Sequence, residues 1–359
     1  MISKQEREWA EVIQKYLFFY RDGFFELPYL SNSPQEMVNS IIKIPVTLHK
    51  SVEQVIHTNN PFCKGVMHYR EIEEGLWILA TNIDIKQNVI AKALYDQAEV
   101  SDYYFLTFSV FEYEFRTGNT LSDKVTLLSK CWTFYKPETV VSTYFYKGTT
   151  GKFCNLVFNK KWAEKNLSSQ ILDRGAELQN FLNHETGFLT WLDVVPDIDK
   201  ISKEIWRILQ NNNKEGSFNI SNLKIEVHQM ITRFFKSTLE NSRIQKYKPL
   251  NNIDYSNVAK AEKIILHHLT SPFVGVESIA SNVNMSPTKL KSIFKSVFGS
   301  SMLQYHKEKN IQLAVQLIQN SDLPIKSIAV ATGYESASKF TAAFKKRFGI
   351  LPSEVLRSN

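Results

Sequence analysis

Cysteine is scarce in this 359-residue chain, which has only Cys63, Cys131 and Cys154. Three thiols so far apart form neither a disulfide framework nor a zinc motif, and they point to a reducing cytoplasm. Long apolar runs are missing too. No eighteen-residue apolar stretch occurs, so no membrane span is expected. The first residues carry acidic and polar side chains where a signal peptide needs a basic start and an apolar run, so export is not expected either. The common catalytic signatures are absent: there is no G-x-S-x-G, no H-E-x-x-H, no P-loop and no glycine-rich dinucleotide motif. His184-Glu185 and the pair Asp197/Asp199 lack partners at a telling spacing and read as surface residues. His49, His57 and His68 are scattered, without the close spacing of a metal-binding jelly roll, so neither a metal nor another cofactor is expected.

What is present is a composition able to build real cores, 43% apolar and 22% charged, over a length that accommodates two or three domains. The charge is unevenly placed. Residues 253–359 hold thirteen Lys and Arg against seven Asp and Glu, whereas the other 252 residues hold thirty against twenty-nine. Nearly all of the net +7 therefore lies in the last third. A solvated face is the plain explanation of such an excess; an electrostatic footprint for phosphates is the functional one.

That same third contains one pattern written twice. Val276, Ile279 and Ala280 are followed by Leu290, Phe294, Phe298 and Gly299; Ile325, Ile328 and Ala329 are followed by Phe340, Phe344, Phe348 and Gly349. The offset is 49 before the turn and 50 after it, so the second turn holds one extra residue. Each copy is a short apolar stripe, a turn, then a longer stripe at i, i+4, i+8, which is the sequence form of a helix-turn-helix. A helix over about 256–269 precedes them, burying Val258, Ala261, Ile265 and Leu269. In the first copy Asn284-Met285 makes the turn, Ser286 is an N-cap and Pro287 suits the first helical position. The helix that follows buries Leu290, Ile293, Phe294 and Val297, leaving Thr288, Lys289, Lys291, Ser292 and Lys295 on the free face. A helix over about 302–319, burying Ile311, Ala314, Val315 and Ile318, separates the copies, and Pro324 opens the second. The second copy turns at Gly333 and buries Phe340, Phe344 and Phe348. It exposes Ala337, Ser338, Lys339, Thr341 and Ala342, with Lys345, Lys346 and Arg347 clustered near the end. Hydroxyls and ammonium groups on such faces suit base edges and phosphate oxygens.

The first two thirds read differently. Residues 4–21 have the pattern of an amphipathic helix, with Trp9, Val12, Ile13, Tyr16, Leu17 and Tyr20 on one side. From about 64 to 159 short aromatic and β-branched runs such as Leu76 to Leu79, Tyr103 to Phe108, Cys131 to Tyr135, Val141 to Tyr146 and Phe153 to Phe158 predict an antiparallel sandwich or small barrel. Its aromatics read as core before they read as a ligand cage. Residues 162–245 carry three helical stripes: Ile171, Leu178, Phe181 and Leu182; Ile201, Ile205, Ile208 and Leu209; and Leu223, Val227, Met230, Ile231 and Phe234. They fit a layer covering the barrel, a dimerisation surface, or both. Gln245 to Asn252 reads as an exposed linker.

Several residues of the last third, at fixed spacings over roughly 255–357, carry a resemblance to a known family. They are Phe294-Lys295, Gly299, Tyr305, Ile311, Ala314, Pro324-Ile325, Ile328-Ala329, Gly333-Tyr334, Phe340, Phe344-Lys345, Phe348-Gly349 and Pro352-Ser353. In these the chain resembles the AraC/XylS transcription factors. The resemblance implies two helix-turn-helix units joined by a rigid helix that enter successive major-groove faces on one side of DNA, RNA polymerase as a partner, and an N-terminal jelly-roll sensor. It puts Thr288, Lys291 and Ser292 at base-facing positions in the first unit, and Ala337, Ser338, Lys339 and Ala342 in the second. The chain departs from the family at Asn310, where a basic residue is common, and at Ala342, too short to reach a base edge by hydrogen bonding. Its Glu354-Val355-Leu356-Arg357 ending is one residue longer before the arginine than the usual form.

The expected fold class is α+β and multidomain. A β-sandwich or jelly-roll-like sensor domain spans 1–161, a helical connector and linker 162–252, and an all-α double helix-turn-helix domain 253–359. The expected function is a cytoplasmic, sequence-specific regulator of transcription acting on double-stranded DNA, an activator and not an enzyme, with a small-molecule effector and homodimerisation as further expectations. Its DNA-facing residues are Thr288, Lys289, Lys291, Ser292, Lys295, Ala337, Ser338, Lys339, Ala342, Lys345 and Lys346. Two alternatives from other classes are a barrel enzyme and a protein-responsive adaptor, each fused to the DNA module. A DNA-repair methyltransferase fusion would need reactive zinc-bound cysteines, which three isolated ones do not supply.

Overall fold

The computed structural model describes residues 20–21, 23–44, 47–116, 124–167, 188–191, 198–211, 217–240, 252–298, 300–321 and 323–356. They form a β-rich N-terminal part and a helical C-terminal part. The N-terminal strands are β1 (Tyr20–Arg21), β2 (Phe24–Leu30), β3 (Thr47–Lys50), β4 (Val55–Asn59), β5 (Cys63–Glu73), β6 (Leu76–Ile85), β7 (Val89–Leu94), β8 (Tyr103–Arg116), β9 (Lys124–Tyr135), β10 (Ser142–Phe145), β11 (Thr150–Asn159) and β12 (Phe188–Trp191). Helix α1 (Pro34–Ile42) lies between β2 and β3, and α2 (Lys160–Asn166) follows β11. Two longer helices, α3 (Ile198–Gln210) and α4 (Ser217–Glu240), complete this part.

The strands make a four-stranded sheet, β1-β2-β7-β10, and an eight-stranded one, β12-β9-β8-β11-β6-β5-β4-β3. Strand periodicity sends alternate residues of β6 to opposite faces of the larger sheet. Leu76, Ile78 and Ala80 join one core with Phe108, Trp132, Phe134, Cys154 and Leu156, covered by the stripes of α3 and α4. Leu79 joins the other with Ile56, Met67, Tyr69, Phe105 and Val157, covered by Val38 of α1. A sheet covered on both faces explains why Leu76 to Leu79 is a continuous apolar run rather than an alternating one. Aromatic contacts seal the first core: Phe108 meets Trp132 at 5.0 Å, and Trp132 meets Phe234 of α4 at 5.2 Å between ring centroids. Each fully buried large apolar side chain contributes about 1.5–3 kcal/mol, so the fully buried Ile205, Val227 and Met230 hold the helices firmly to the sheet.

Several expectations need correction. Strand structure begins well before residue 64, because β2 and the β3–β4 pair lie upstream; β2 runs parallel to β7 with Phe25 opposite Val89. Tyr20 stands in β1 rather than on a helix that reaches residue 21, while the rest of that stripe lies outside the described residues. The segment 162–245 is not wholly helical. Phe188–Trp191 pairs with β9 as an edge strand, Phe188 opposite Tyr135, because its aromatic and β-branched residues suit a pleated sheet. The stripe Ile171, Leu178, Phe181 and Leu182, the pair His184-Glu185, and the linker before Asn252 lie outside the described residues. Asp199 pairs with Lys130.

The C-terminal part contains α5 (Asn252–His267), α6 (Val276–Asn282), α7 (Pro287–Phe298), α8 (Met302–Asn320), α9 (Ile325–Ala331), α10 (Ala337–Phe348) and α11 (Pro352–Leu356). Of the chain's two compact units, one comprises Met1–Val110 and Lys130–Ser256, and the other Phe111–Ser129 and Asn257–Asn359. Within the second, the ammonium of Lys263 stands 3.9 Å from the centroid of the buried Phe111 ring. Among the described residues no helix is long and apolar enough to cross a membrane.

Candidate nucleic-acid interface

The two copies of the sequence pattern fold into two helix-turn-helix units that match hydrogen bond for hydrogen bond. In the first, α6 ends where Asn284 takes a left-handed φ of 53°, a conformation asparagine tolerates better than most residues, and Met285 N donates to Ala280 O at 3.0 Å. In the second, α9 ends where Gly333 takes φ 74° and Tyr334 N donates to Ala329 O at 2.9 Å. Outer helix α7 is capped by Ser286, whose hydroxyl accepts from Lys289 N at 3.3 Å; α10 is capped by Ser336, accepting from Lys339 N at 3.2 Å. The extra residue of the second turn is Glu335, inserted after the hydrogen-bonded part and before the cap. At its far end α10 stops on Gly349, left-handed at φ 80°, whose N–H bonds Lys345 O.

Each outer helix buries one face. Leu290 and Phe294 of α7, and Phe340 and Phe344 of α10, are all but inaccessible. The stripes are narrower than the sequence predicts. Val297 is only partly buried, and Phe348 is 38% exposed, because the last turn of α10 runs past the core; Phe348 packs on Phe344 and lies beneath the Arg347 guanidinium. Val315 of α8 is likewise half-buried.

On the opposite faces stand the candidate residues. Thr288, Lys289, Lys291, Ser292 and Lys295 are exposed along α7, and Ser338, Lys339, Ala342, Lys345 and Lys346 along α10; Ala337 is half-buried beside the cap. Acidic neighbours sit beside some of these cations. Lys291 faces Glu277 of α6 at 4.0 Å, and Lys339 pairs with Glu335, whose carboxyl it holds below the usual range through a hydrogen bond and its charge.

The charge excess read from the sequence is only partly a surface property. Lys260, Lys263 and Lys309 are buried, Lys309 with its ammonium 5.5 Å from the Tyr305 ring. Arg347 is committed elsewhere: its guanidinium grips Glu308 of α8, Nε at 3.0–3.1 Å from both carboxylate oxygens and Nη2 at 2.9 Å from Oε1. The counted footprint therefore overstates the cations available on the faces of α7 and α10.

Helix α8 is the element on which both units rest. Tyr305 meets Phe294 of the first edge-on and Phe298 at a tilt, and its hydroxyl donates to the buried Glu262 carboxylate at 2.7 Å. Toward the second, Asn310 is buried, and its amide donates to the Thr332 carbonyl at 3.1 Å. Where the resemblance would place a basic residue facing phosphate, this side chain is instead buried with its amide turned into the protein. Sequence reasoning missed the Glu308–Arg347 pair because its partners are 39 positions apart on different helices. It also missed His306, which burial against Phe273 holds below its ordinary pKa and whose Nε2 has no hydrogen-bond partner.

Tandem helix-turn-helix units with exposed basic outer faces define the class of domain. Residues 279–358 match a family model described as a helix-turn-helix domain. Among curated proteins the chain is similar to the HTH-type transcriptional regulator AlkR of Acinetobacter baylyi, 40% identical over 73 residues, covering 20% of this chain and 24% of that protein. It is also similar to the arabinose operon regulatory protein of Salmonella typhimurium, 30% identical over 99 residues, covering 28% and 35%. Among solved structures it is similar to the C-terminal domain of AraT, a response regulator from Geobacillus stearothermophilus, with 30% identity, 29% of this chain and 85% of that one covered, and a TM-score of 0.28. The chain thus spans about a quarter to a third of the length of the curated relatives named here. Its C-terminal domain is an AraC-type helix-turn-helix domain.

Proposed function

We propose that this protein is a cytoplasmic, sequence-specific DNA-binding regulator of transcription that acts as an activator. The observation that carries the reading is the repetition of one capped helix-turn-helix, each copy offering an exposed face of hydroxyl, ammonium and small side chains. Thr288, Lys291 and Ser292 read base edges from α7. Lys289, Lys295, Lys345 and Lys346 neutralise phosphates, which orients the domain without reading sequence. On α10, Ser338 and Lys339 reach bases, while Ala337 and Ala342 contribute shape fit against the groove. The domain plan is a sandwich-like sensor over 1–161, a connector over 162–252 that is mostly helical but also lends edge strand β12 to the sheet, and the DNA-binding domain over 253–359. The sensor responds to a small molecule or a partner protein, the connector carries a homodimer contact, and RNA polymerase is the target of activation.

The test is to select binding sites from random duplex DNA with the full chain, then measure affinity for the selected site and a scrambled one between roughly 50 and 200 mM salt. An enriched sequence, bound more tightly than the scrambled one and weakened by salt, is expected; selection that enriches nothing refutes the reading. A reporter carrying the selected site then separates an activator, which raises expression, from a repressor, which lowers it. Thermal unfolding of the full chain against a panel of metabolites tests the sensor, a raised midpoint being the expected result.

A further inference from the structure

We propose that α8 fixes the rotational setting of the second helix-turn-helix through two side-chain latches, Asn310–Thr332 and Glu308–Arg347, and that these latches determine which half-site spacing the protein accepts. The spacing part rests on the DNA-binding reading; the latch part does not.

The inner helix of the second unit benefits from such a device because its own apolar seat is small, although α10 beside it buries Phe340 and Phe344. Helix α9 has seven residues and buries only Ile328 and Ala329 fully. Crossing angles scatter by about 15–20° from one helix pair to another, so the type of apolar packing does not by itself specify the angle of this pair. Hydrogen bonds are directional. Thr332 caps the C-terminal end of α9, where carbonyls have no intrahelical donor, and the buried Asn310 amide supplies one. Thr332 is itself fully buried, with its hydroxyl turned back to Ile328 O at 2.7 Å. The next residue, Gly333, lies so close that a Cβ there would stand 3.5 Å from Asn310 Nδ2 and 3.4 Å from Ser271 O, so the turn is seated directly against this amide.

The second latch acts at the other end of the unit. Arg347, in the last turn of α10, binds the Glu308 carboxylate with both Nε and Nη2. Glu308 and Asn310 are two positions apart and therefore point to different sides of α8. One holds the turn and the other the end of a twelve-residue outer helix about 18 Å long. Two attachments so separated define an orientation, which neither defines alone. The first unit is held differently, by the Phe294–Phe298–Tyr305 rings and the Tyr305–Glu262 hydrogen bond.

The setting matters because the half-sites of a duplex are read at a fixed phase. Moving a half-site by one base pair displaces it by about 3.4 Å and turns it by about 34° around the axis. A latched second unit rejects that shift, whereas a loosened one follows it.

Two measurements on the full chain test the proposal. In the first, spin labels are placed at Ser278→Cys in α6 and Lys326→Cys in α9, both exposed positions, with the native cysteines replaced. Asn310→Ala and Arg347→Gln are expected to broaden the distance distribution, and the exchange Glu308→Arg with Arg347→Glu to narrow it again. An unchanged distribution in both single variants overturns the latch. In the second, affinity is measured for the selected DNA site and for versions with its halves moved apart or together by one base pair. Each single variant should lower spacing discrimination about fivefold, with the optimal site bound nearly as before. Equal weakening at every spacing, or an unaltered profile, overturns the role in spacing. Broadened distances in a protein that selects no DNA would instead refute the DNA-binding reading and leave the latch standing.

Discussion

The two faces of α7 give the sharpest test of how this domain is built. Phe294 has no accessible surface and its ring touches Phe298 at 4.5 Å and Tyr305 at 5.5 Å between centroids. Phe294→Ala removes a ring at the joint between α7 and α8, and such a cavity costs about 3–5 kcal/mol. For a domain of roughly a hundred residues each kcal/mol lowers the midpoint by about 4–8 °C, so a fall of more than about 12 °C is expected for the C-terminal transition. Lys295 is one position further and exposed. Lys295→Ala should leave stability within about 0.5 kcal/mol, weaken selected and scrambled DNA alike, and reduce the log–log salt slope by about 0.9. Lys291→Ala and Ser292→Ala, where α7 enters the groove, should cost about 1–3 kcal/mol on the selected site and much less on scrambled DNA. The assay is fluorescence anisotropy at four or more salt concentrations beside calorimetric unfolding of the same samples. Were Lys291→Ala to weaken both DNAs equally while Lys295→Ala changed base preference, the assignment of the two positions would be reversed.

Glu335→Gln, freeing Lys339 from its carboxylate neighbour, should tighten binding to selected and scrambled DNA alike and steepen the salt dependence; unchanged affinity would show that the pair is not competing with phosphate. A fragment of residues 253–359 is expected to fold and to bind DNA in a salt-dependent way, and its circular dichroism and anisotropy are the check; an unfolded fragment would mean that Phe111 and its neighbours, which belong to the same compact unit, are needed. His68 is buried in the sheet. Desolvation, then the charges of Arg70 and His57, hold its pKa at about 4 against an ordinary 6.5. The folded state therefore prefers neutral imidazole. Its contribution is complete above about pH 6.5 and is lost as pH falls toward 4, by up to about 3 kcal/mol. His68→Gln should flatten that part of the stability profile relative to wild type, and superimposable pH profiles would refute it.

The parts of the fold most legible in the sequence are those fixed by local periodicity. The stripes of α3, α4, α6, α7 and α9, the Ser286 cap and the extra residue of the second turn are legible because each depends on residues within one or two helical turns; the matching Ser336 cap came only from the structure. Phe348 misled because a stripe gives direction but not the length of the surface it meets; the last turn of α10 extends beyond that surface. The β2–β7 pairing was illegible for another reason. It joins Phe25 to Val89 in parallel, and nothing in either run names its partner. The same holds for Arg347, whose place in a basic run suggests a phosphate while its geometry selects Glu308, and for Asn310, whose amide finds a carbonyl 22 positions away. Charge counting was the coarsest guide, since it weighed Lys260, Lys263 and Lys309 as surface cations although all three are buried.

The place where the two turns differ also tells how the chain tolerates change in length. Glu335 is accommodated after the backbone bond from Tyr334 N to Ala329 O has closed and before the Ser336 cap begins. The corresponding joint in the first unit lies between Met285 and Ser286. A codon gained there lengthens only a bend the duplicate already possesses, whereas one gained between Ala280 and Met285 breaks a hydrogen-bonded ring and shifts Ile279 and Ala280 out of register with the helix they pack against. In a library of single-residue insertions, surviving members should therefore gather at that one joint. The two units differ in length only at the joint that lies outside both the backbone-bonded turn and the serine-capped helix, where no backbone bond is lost.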